Sequence, residues 1–250
     1  MKKVQNIIYG YDASTHLLDI YLPDSPNFSV FVYFHGGGFE TGDKSCGETF
    51  AEYLADRGIA LVSVNYRMYP NANYPDFIED AAKSVAWVFE NIAKYGECDG
   101  VYVGGSSAGG YLSMMLCFDG RYLAAHGINP LSISGWLHDA GQPTAHFNVL
   151  RERNIDSRRV IADDSAPIYH VGTQESYSPM AFIVSDNDMF GRYEQTMLMI
   201  ATLKHFGHGE DKVKLKVMNG KHCEYIRALD ENGQSIFGNI IWQFISNNLL

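Results

Sequence analysis

Val101 to Tyr111 reads VYVGGSSAGGY: a short apolar run, then glycines bracketing two serines, then helix-forming residues. Within it, Gly105-Ser106-Ser107-Ala108-Gly109 fits G-x-S-x-G with Ser107 at the centre, the turn that lifts a serine hydroxyl off the end of a strand. A strand that reverses straight into a helix strains the backbone at that serine, and Gly105 and Gly109 keep side chains from colliding there. A glycine-rich strand-to-helix loop without chemistry, or one that cradles phosphate, would look the same in isolation, so the segments on either side decide. Ser106 would take the central place only if the turn were shifted by one, and its flanks, Gly104 and Ala108, do not match. Ser106 is expected to pack or hydrogen-bond beside the turn.

Upstream, Val30 to Phe34 is a nearly all-apolar, β-prone run of the kind buried on both faces of a parallel sheet, and it ends in His35-Gly36-Gly37-Gly38-Phe39. Three consecutive glycines let a loop turn its N–H groups inward with no Cβ in the way. Such donors stabilise the oxygen of a tetrahedral intermediate by a few kcal/mol each, roughly. Gly37 and Gly38, with the N–H of Ala108, are the candidate oxyanion hole.

Downstream, a serine hydroxyl needs a base to take its proton and a third group to fix that base's tautomer. His222, in Asn219-Gly220-Lys221-His222-Cys223, follows the last long strand and is the histidine so placed. His205 and His208 fall at the end of a helix and in a polar loop, and are expected to be solvated. For the acid, Asp186 and Asp188 both lie just past a strand. Asp188 is preferred because it sits further into the loop, leaving Asp186 as a turn residue or loop cap. The expected set is Ser107, Asp188 and His222, in the chain order of α/β-hydrolases. Cys223, beside His222, is expected to be a small buried apolar residue and not a catalytic thiol.

The rest of the chain alternates strand-like and helix-like stretches. Strands are expected at Val4 to Tyr9, Leu17 to Leu22, Val30 to Phe34, Ile59 to Val64, Val101 onward, Leu131 to Leu137, Met180 to Val184 and Val213 to Val217, the first two as an edge hairpin. Helices are expected at Cys46 to Arg57, Asp76 to Tyr95, the stretch after Ser107, Arg192 to Phe206 with Tyr193, Met197, Ile200 and Leu203 on one face, and Ile236 to Leu250. This implies an α/β chain: one domain over residues 1–250, a mainly parallel eight-stranded sheet with helices on both faces and ligands at the carboxyl ends of its strands. Residues 139–174 show no single period and are expected to be irregular structure or a small lid. Phe39, Trp136 and Phe190 are candidate substrate-binding residues, with His138, His146 and Phe147 as further pocket candidates.

Composition narrows the partners. Acidic residues outnumber Lys plus Arg, 29 to 19, and there is no basic run, which argues against nucleic acid and anionic membranes. No tract has the apolar length of a membrane span. The N-terminal stretch has no h-region, so a cytoplasmic protein, or one whose leader has been removed, is expected. Four scattered cysteines suggest free thiols. Despite nine histidines there is no H-x-x-x-H or H-E-x-x-H pair, so neither metal nor other cofactor is expected. The expected partner is a small-molecule ester; self-association is left open.

At His35-Gly36-Gly37-Gly38-Phe39, the Ser106-Ser107-Ala108-Gly109-Gly110 turn and the late Asp and His, the chain resembles the α/β-hydrolase superfamily. More narrowly it resembles carboxylesterases of the hormone-sensitive-lipase-like and feruloyl-esterase or kynurenine-formamidase-like branches. Asp19-Ile20-Tyr21-Leu22-Pro23, Asn65-Tyr66-Arg67, Tyr74-Pro75 with Asp80, and Ser165-Ala166-Pro167-Ile168 match in style. Two departures, an early His35 that leaves no room for an N-terminal helical cap and Ser106 where an acidic residue is common, favour the capless small esterases. The resemblance implies a serine carboxylester hydrolase for small or medium acyl, aryl or acetylated-sugar esters, working through an acyl-enzyme without a cofactor. The alternatives are an amidase such as an arylformamidase and, from another class, a non-catalytic binding module on the same scaffold.

Overall fold

The computed structural model describes residues 1–209 and 211–246. Eight strands form one sheet: β1 (Lys2–Ile8), β2 (Leu17–Leu22), β3 (Asn27–Phe34), β4 (Ile59–Val64), β5 (Glu97–Ser106), β6 (Gly135–Asp139), β7 (Met180–Asn187) and β8 (Val213–Lys221). Their spatial order is β1-β2-β4-β3-β5-β6-β7-β8. The β1–β2 hairpin and its junction with β4 are antiparallel, and every pairing from β4 to β8 is parallel. The helices are α1 (Glu48–Ala55), α2 (Asp76–Asn91), α3 (Ala108–Phe118), α4 (Arg121–Ala124), α5 (Phe147–Glu152), α6 (Arg192–His205) and α7 (Ile236–Ile245). None of the described helices is long and apolar enough to cross a membrane.

The period-two alternation of a strand sorts the core into two layers. In β3, Val30, Val32 and Phe34 pack with α2, α3 and α6 on one face, while Phe31 and Tyr33 pack with α1 and α7 on the other. Along α2, Phe77, Ala81, Val85 and Val88 recur at helical spacing and are buried throughout. The loop after β4 is tied to that helix by Arg67, whose Nε and Nη2 donate to the two carboxylate oxygens of Asp80 at 2.8 and 2.7 Å. Such a two-point fork fixes orientation as well as distance.

Two expectations need correction. β6 begins at Gly135 and not at Leu131, because Asn129 caps a 3₁₀ turn at Pro130–Ser132 and the proline has no N–H for a ladder. In α6 the buried stripe runs through Arg192, Thr196, Met199, Ile200 and Leu203, whereas Tyr193 and Met197 are partly exposed. Two polar residues therefore face the core, which an apolar pattern does not register. Residues 139–174 hold α5 and a 3₁₀ turn at Pro167–His170, and residues 140–146 are wholly buried. The closing helix is observed to Ile245; residues 247–250 of that expectation lie outside the described residues.

The turn from β5 into α3 passes over the end of β3 so closely that a Cβ on Gly109 would strike the carbonyl groups of Phe34 and His35. Both obstacles are backbone and cannot rotate away. Gly109→Ala is expected to lower stability by about 1–3 kcal/mol, the usual range for overpacking, measured by urea denaturation.

Candidate active site

Ser107 is the single residue between β5 and α3, at φ 56° and ψ −112°. A non-glycine residue persists in such a conformation only where its surroundings over-determine it. Here its N–H donates to the carbonyl of Asp139 at the end of β6 (2.8 Å), and its carbonyl accepts from Tyr111 in α3 (3.0 Å). Ser107 is thereby held at the carboxyl end of the sheet, on the wall of a cavity.

His222 directly follows β8 and Asp188 directly follows β7, so parallel pairing of the two strands brings their side chains together. His222 Nε2 lies 2.8 Å from Ser107 Oγ, and its Nδ1 lies 2.5 Å from Asp188 Oδ1. Asp188 also accepts from the N–H groups of Met189 (2.7 Å) and Ser185 (3.1 Å). Burial pushes its carboxyl up, but the hydrogen bond and charge of His222, with those two amides, outweigh this and leave it below the usual carboxylate range. An ionised Asp188 holds the hydrogen on Nδ1, which leaves the Nε2 lone pair facing the serine hydroxyl. Asp186 instead accepts from the N–H of Gly220 at 2.9 Å and so fastens the two loops to each other.

Opposite, Gly37 and Gly38 have φ of 117° and 65°, which turns the loop inward. The loop is held by its carbonyl groups: Asn148 donates to Gly38 O, Thr41 Oγ1 to Gly37 O (3.3 Å), and Tyr66 to His35 O (2.7 Å). Among the described residues nothing accepts from the N–H groups of Gly37, Gly38 or Ala108. His35 is itself buried, stacked on Tyr66, and serves the loop's shape.

A cavity of about 630 Å³ opens over Ser107, lined by Gly36 to Gly38, Phe147, Met189, His222 and Cys223, together with Glu40 and Arg227. Of the expected pocket residues only Phe147 lines it. Phe39 is fully buried, stacked on Phe77 at 4.1 Å, because its left-handed backbone (φ 64°) swings the ring into the core. Trp136 lies on the helix-covered inner face of β6 and is also core. Phe190 is fully exposed and borders a neighbouring cavity. His138 and His146 are buried, the former 2.9 Å from Ser113 Oγ, the latter capping α5. Burial lowers the pKa of both, that of His138 to about 3, so each is a neutral core group. His208, expected in solvent, is instead packed edge-on against Tyr177. The Cys223 thiol, 3.7 Å from His222 Nε2, is pushed up by burial and is no ready thiolate.

Two contributors escaped the sequence reading. Asn148, in a stretch without clear period, buttresses the glycine loop. Asp139 is buried behind Ser107, accepts from the Tyr225 hydroxyl, and has an Oδ2 with no hydrogen-bond partner among the described residues. Burial, opposed in part by the neighbouring hydroxyls of Ser106 and Tyr225, pushes its carboxyl up to about 6. Tyr33 donates to Ser106 Oγ at 3.2 Å, which places Ser106 beside the turn and outside the Asp188–His222–Ser107 chain.

Comparison with known proteins agrees with this architecture. The BD-FAE family model matches residues 18–126. A rice (Oryza sativa subsp. japonica) protein named "Probable isoprenylcysteine alpha-carbonyl methylesterase ICMEL1" is 34% identical over 112 residues, 44% of this chain and 26% of that protein. Carboxylesterase NlhH of Mycobacterium tuberculosis is 34% identical over 119 residues, 46% of this chain and 37% of that one. The chain thus spans well under half the length of the curated relatives it matches. Among solved structures, the propionate-bound esterase Est2 of Thermogutta terrifontis superposes with a TM-score of 0.78 at 21% identity, over 97% of this chain and 93% of that chain. The fold is that of the α/β-hydrolases.

The raised carboxyl of Asp139 makes stability depend on pH in a defined direction. The folded chain holds this proton more tightly than the unfolded chain, whose aspartate titrates near about 3.9. The group's contribution is therefore fullest below that value and is lost as pH rises toward about 6. Asp139→Asn, which keeps an acceptor for Tyr225, is expected to flatten the wild-type decline in stability between about pH 4 and 6, measured by urea denaturation across that window.

Proposed function

We propose that this chain is a serine carboxylester hydrolase in which Ser107 is the nucleophile, His222 the general base and acid, and Asp188 the group that orients His222. The observation that carries the reading is the continuous hydrogen-bonded chain from Asp188 Oδ1 through both ring nitrogens of His222 to Ser107 Oγ, at 2.5 and 2.8 Å. A neutral imidazole with its lone pair on a serine hydroxyl can take that proton as the oxygen attacks an ester carbonyl. The carbonyl oxygen then gains negative charge, and the unpartnered N–H groups of Gly37, Gly38 and Ala108 are suited to receive it.

Collapse of the tetrahedral intermediate expels the alcohol, protonated by His222, and leaves an acyl group on Ser107. Water, losing its proton to the same nitrogen, releases the acid and restores the serine. The cavity has room for a small or medium ester, and its apolar contacts, Phe147, Met189 and Ile226, suit a short acyl or aryl group. The names of the relatives, methylesterase and carboxylesterase, support the same reaction class.

The expected results are hydrolysis of p-nitrophenyl acetate and covalent labelling by a fluorophosphonate probe, both abolished in Ser107→Ala. Asp188→Asn, which leaves His222 in the wrong tautomer, is expected to lower kcat by about a thousandfold or more with little change in KM. A folded protein that neither turns over the ester nor takes the label would refute the reading.

A further inference from the structure

A second cavity, of about 390 Å³, adjoins the one over Ser107 and shares Phe147 and Met189 with it. Among the described residues, every charged one that lines it is an arginine: Arg151, Arg158, Arg159 and Arg192. This concentrates four of the chain's nine arginines in a protein of net charge −10. Only Arg158 has a carboxylate at hydrogen-bonding distance, and Arg192 feels the charge of Asp188 from beyond ion-pair distance. Arg158 is held by Asp156 (2.5 Å to Oδ2), and Arg151 donates to Asn148 Oδ1 at 2.8 Å with Glu40 no closer than 3.9 Å. Arg192 is buried, yet its guanidinium meets only neutral acceptors, Ala140 O and, at 3.4 Å, Gln142 Oε1. Arg159 is exposed, and among the described residues no carboxylate lies within ion-pair distance of it or of Arg192.

Buried cations are ordinarily paired, and a guanidinium fork matches a carboxylate edge-on. The same cavity carries exposed apolar surface, Phe190 and Val160. We propose that it is a subsite for a carboxylate borne by the ester substrate, with the substrate's aryl or alkyl body lying along Phe190 and Val160 and its scissile carbonyl over Ser107. The preferred substrates are then monoanionic carboxylate-bearing esters. This rests on the hydrolase reading above and adds a charge preference to it.

The test compares isosteric ester pairs, each rate divided by that for alkaline hydrolysis of the same ester. One pair carries the charge on the alcohol side, p-acetoxybenzoate against p-tolyl acetate. The other carries it on the acyl side, mono-p-nitrophenyl glutarate against p-nitrophenyl pentanoate. In at least one pair the charged member is expected to have a kcat/KM about tenfold higher, a preference that shrinks in about 0.5 M sodium chloride. Arg159→Gln is expected to cut the charged-to-neutral ratio about three- to fivefold, the scale of one exposed cation, and Arg159→Lys to restore most of it. Ratios at or below one in both pairs, or a ratio that Arg159→Gln does not move, would overturn the subsite. If wild type hydrolyses no ester, the hydrolase reading falls by itself. Calorimetric titration of Ser107→Ala with p-acetoxybenzoate and p-tolyl acetate then decides the subsite: tighter binding of the charged ester, weakened by Arg159→Gln, sustains it, and equal binding rejects it.

Discussion

The carboxyl edge of this sheet depends on one constraint, the left-handed backbone of Ser107. A serine gains nothing by adopting φ 56° on its own. It is forced there because β5 must end and α3 begin within one residue, with the helix start pressed against the end of β3. The hydrogen bond from Ser107 N–H to Asp139 O locks the turn to β6, and the first turn of α3 locks it from the other side. The same geometry that strains the residue exposes its hydroxyl, and it leaves the N–H of Ala108, at a helix start, without an intrahelical acceptor. Position and electrostatics are thus one local consequence of two glycines and a close crossing.

Much of this was legible in the residues because each element carries a local reason. Two glycines at fixed distance around Ser107, three in a row after a buried strand, and a histidine just past the last strand are all positions where the backbone needs a particular residue type. β2 and β4 match their expected ends to the residue, since turn formers stop each run, Pro23 after β2 and Gly58 before β4. Asp188 was separable from Asp186 by one argument alone, that it lies further into the loop; Asp186 is still within β7.

What stayed hidden depended on contacts between distant segments. Trp136 belongs to a strand covered on both sides, where alternation does not say which side is a pocket and which is core. Phe39 follows glycines and was read as part of the site, yet its backbone turns the ring onto Phe77. Arg192 and Thr196 occupy the inward stripe of α6 because Ala140 O, in a segment without regular period, lies where the guanidinium can reach it. No helical periodicity calculated on apolarity could place an arginine there. Asn148 is the same case: its role lies in one carbonyl supplied by a loop more than a hundred positions earlier.

The proposed nucleophile and base differ in how firmly the architecture holds them. Ser107 sits at the middle of the sheet, between strands paired on both sides, whereas His222 is carried by β8, which is partly exposed and, among the described residues, is the outermost strand and pairs with β7 alone. Peripheral strands open at lower free energy than central ones. Detachment of β8 alone would separate imidazole from hydroxyl while both core layers persist, so the geometry of this site is a more fragile property of the chain than its folded shape.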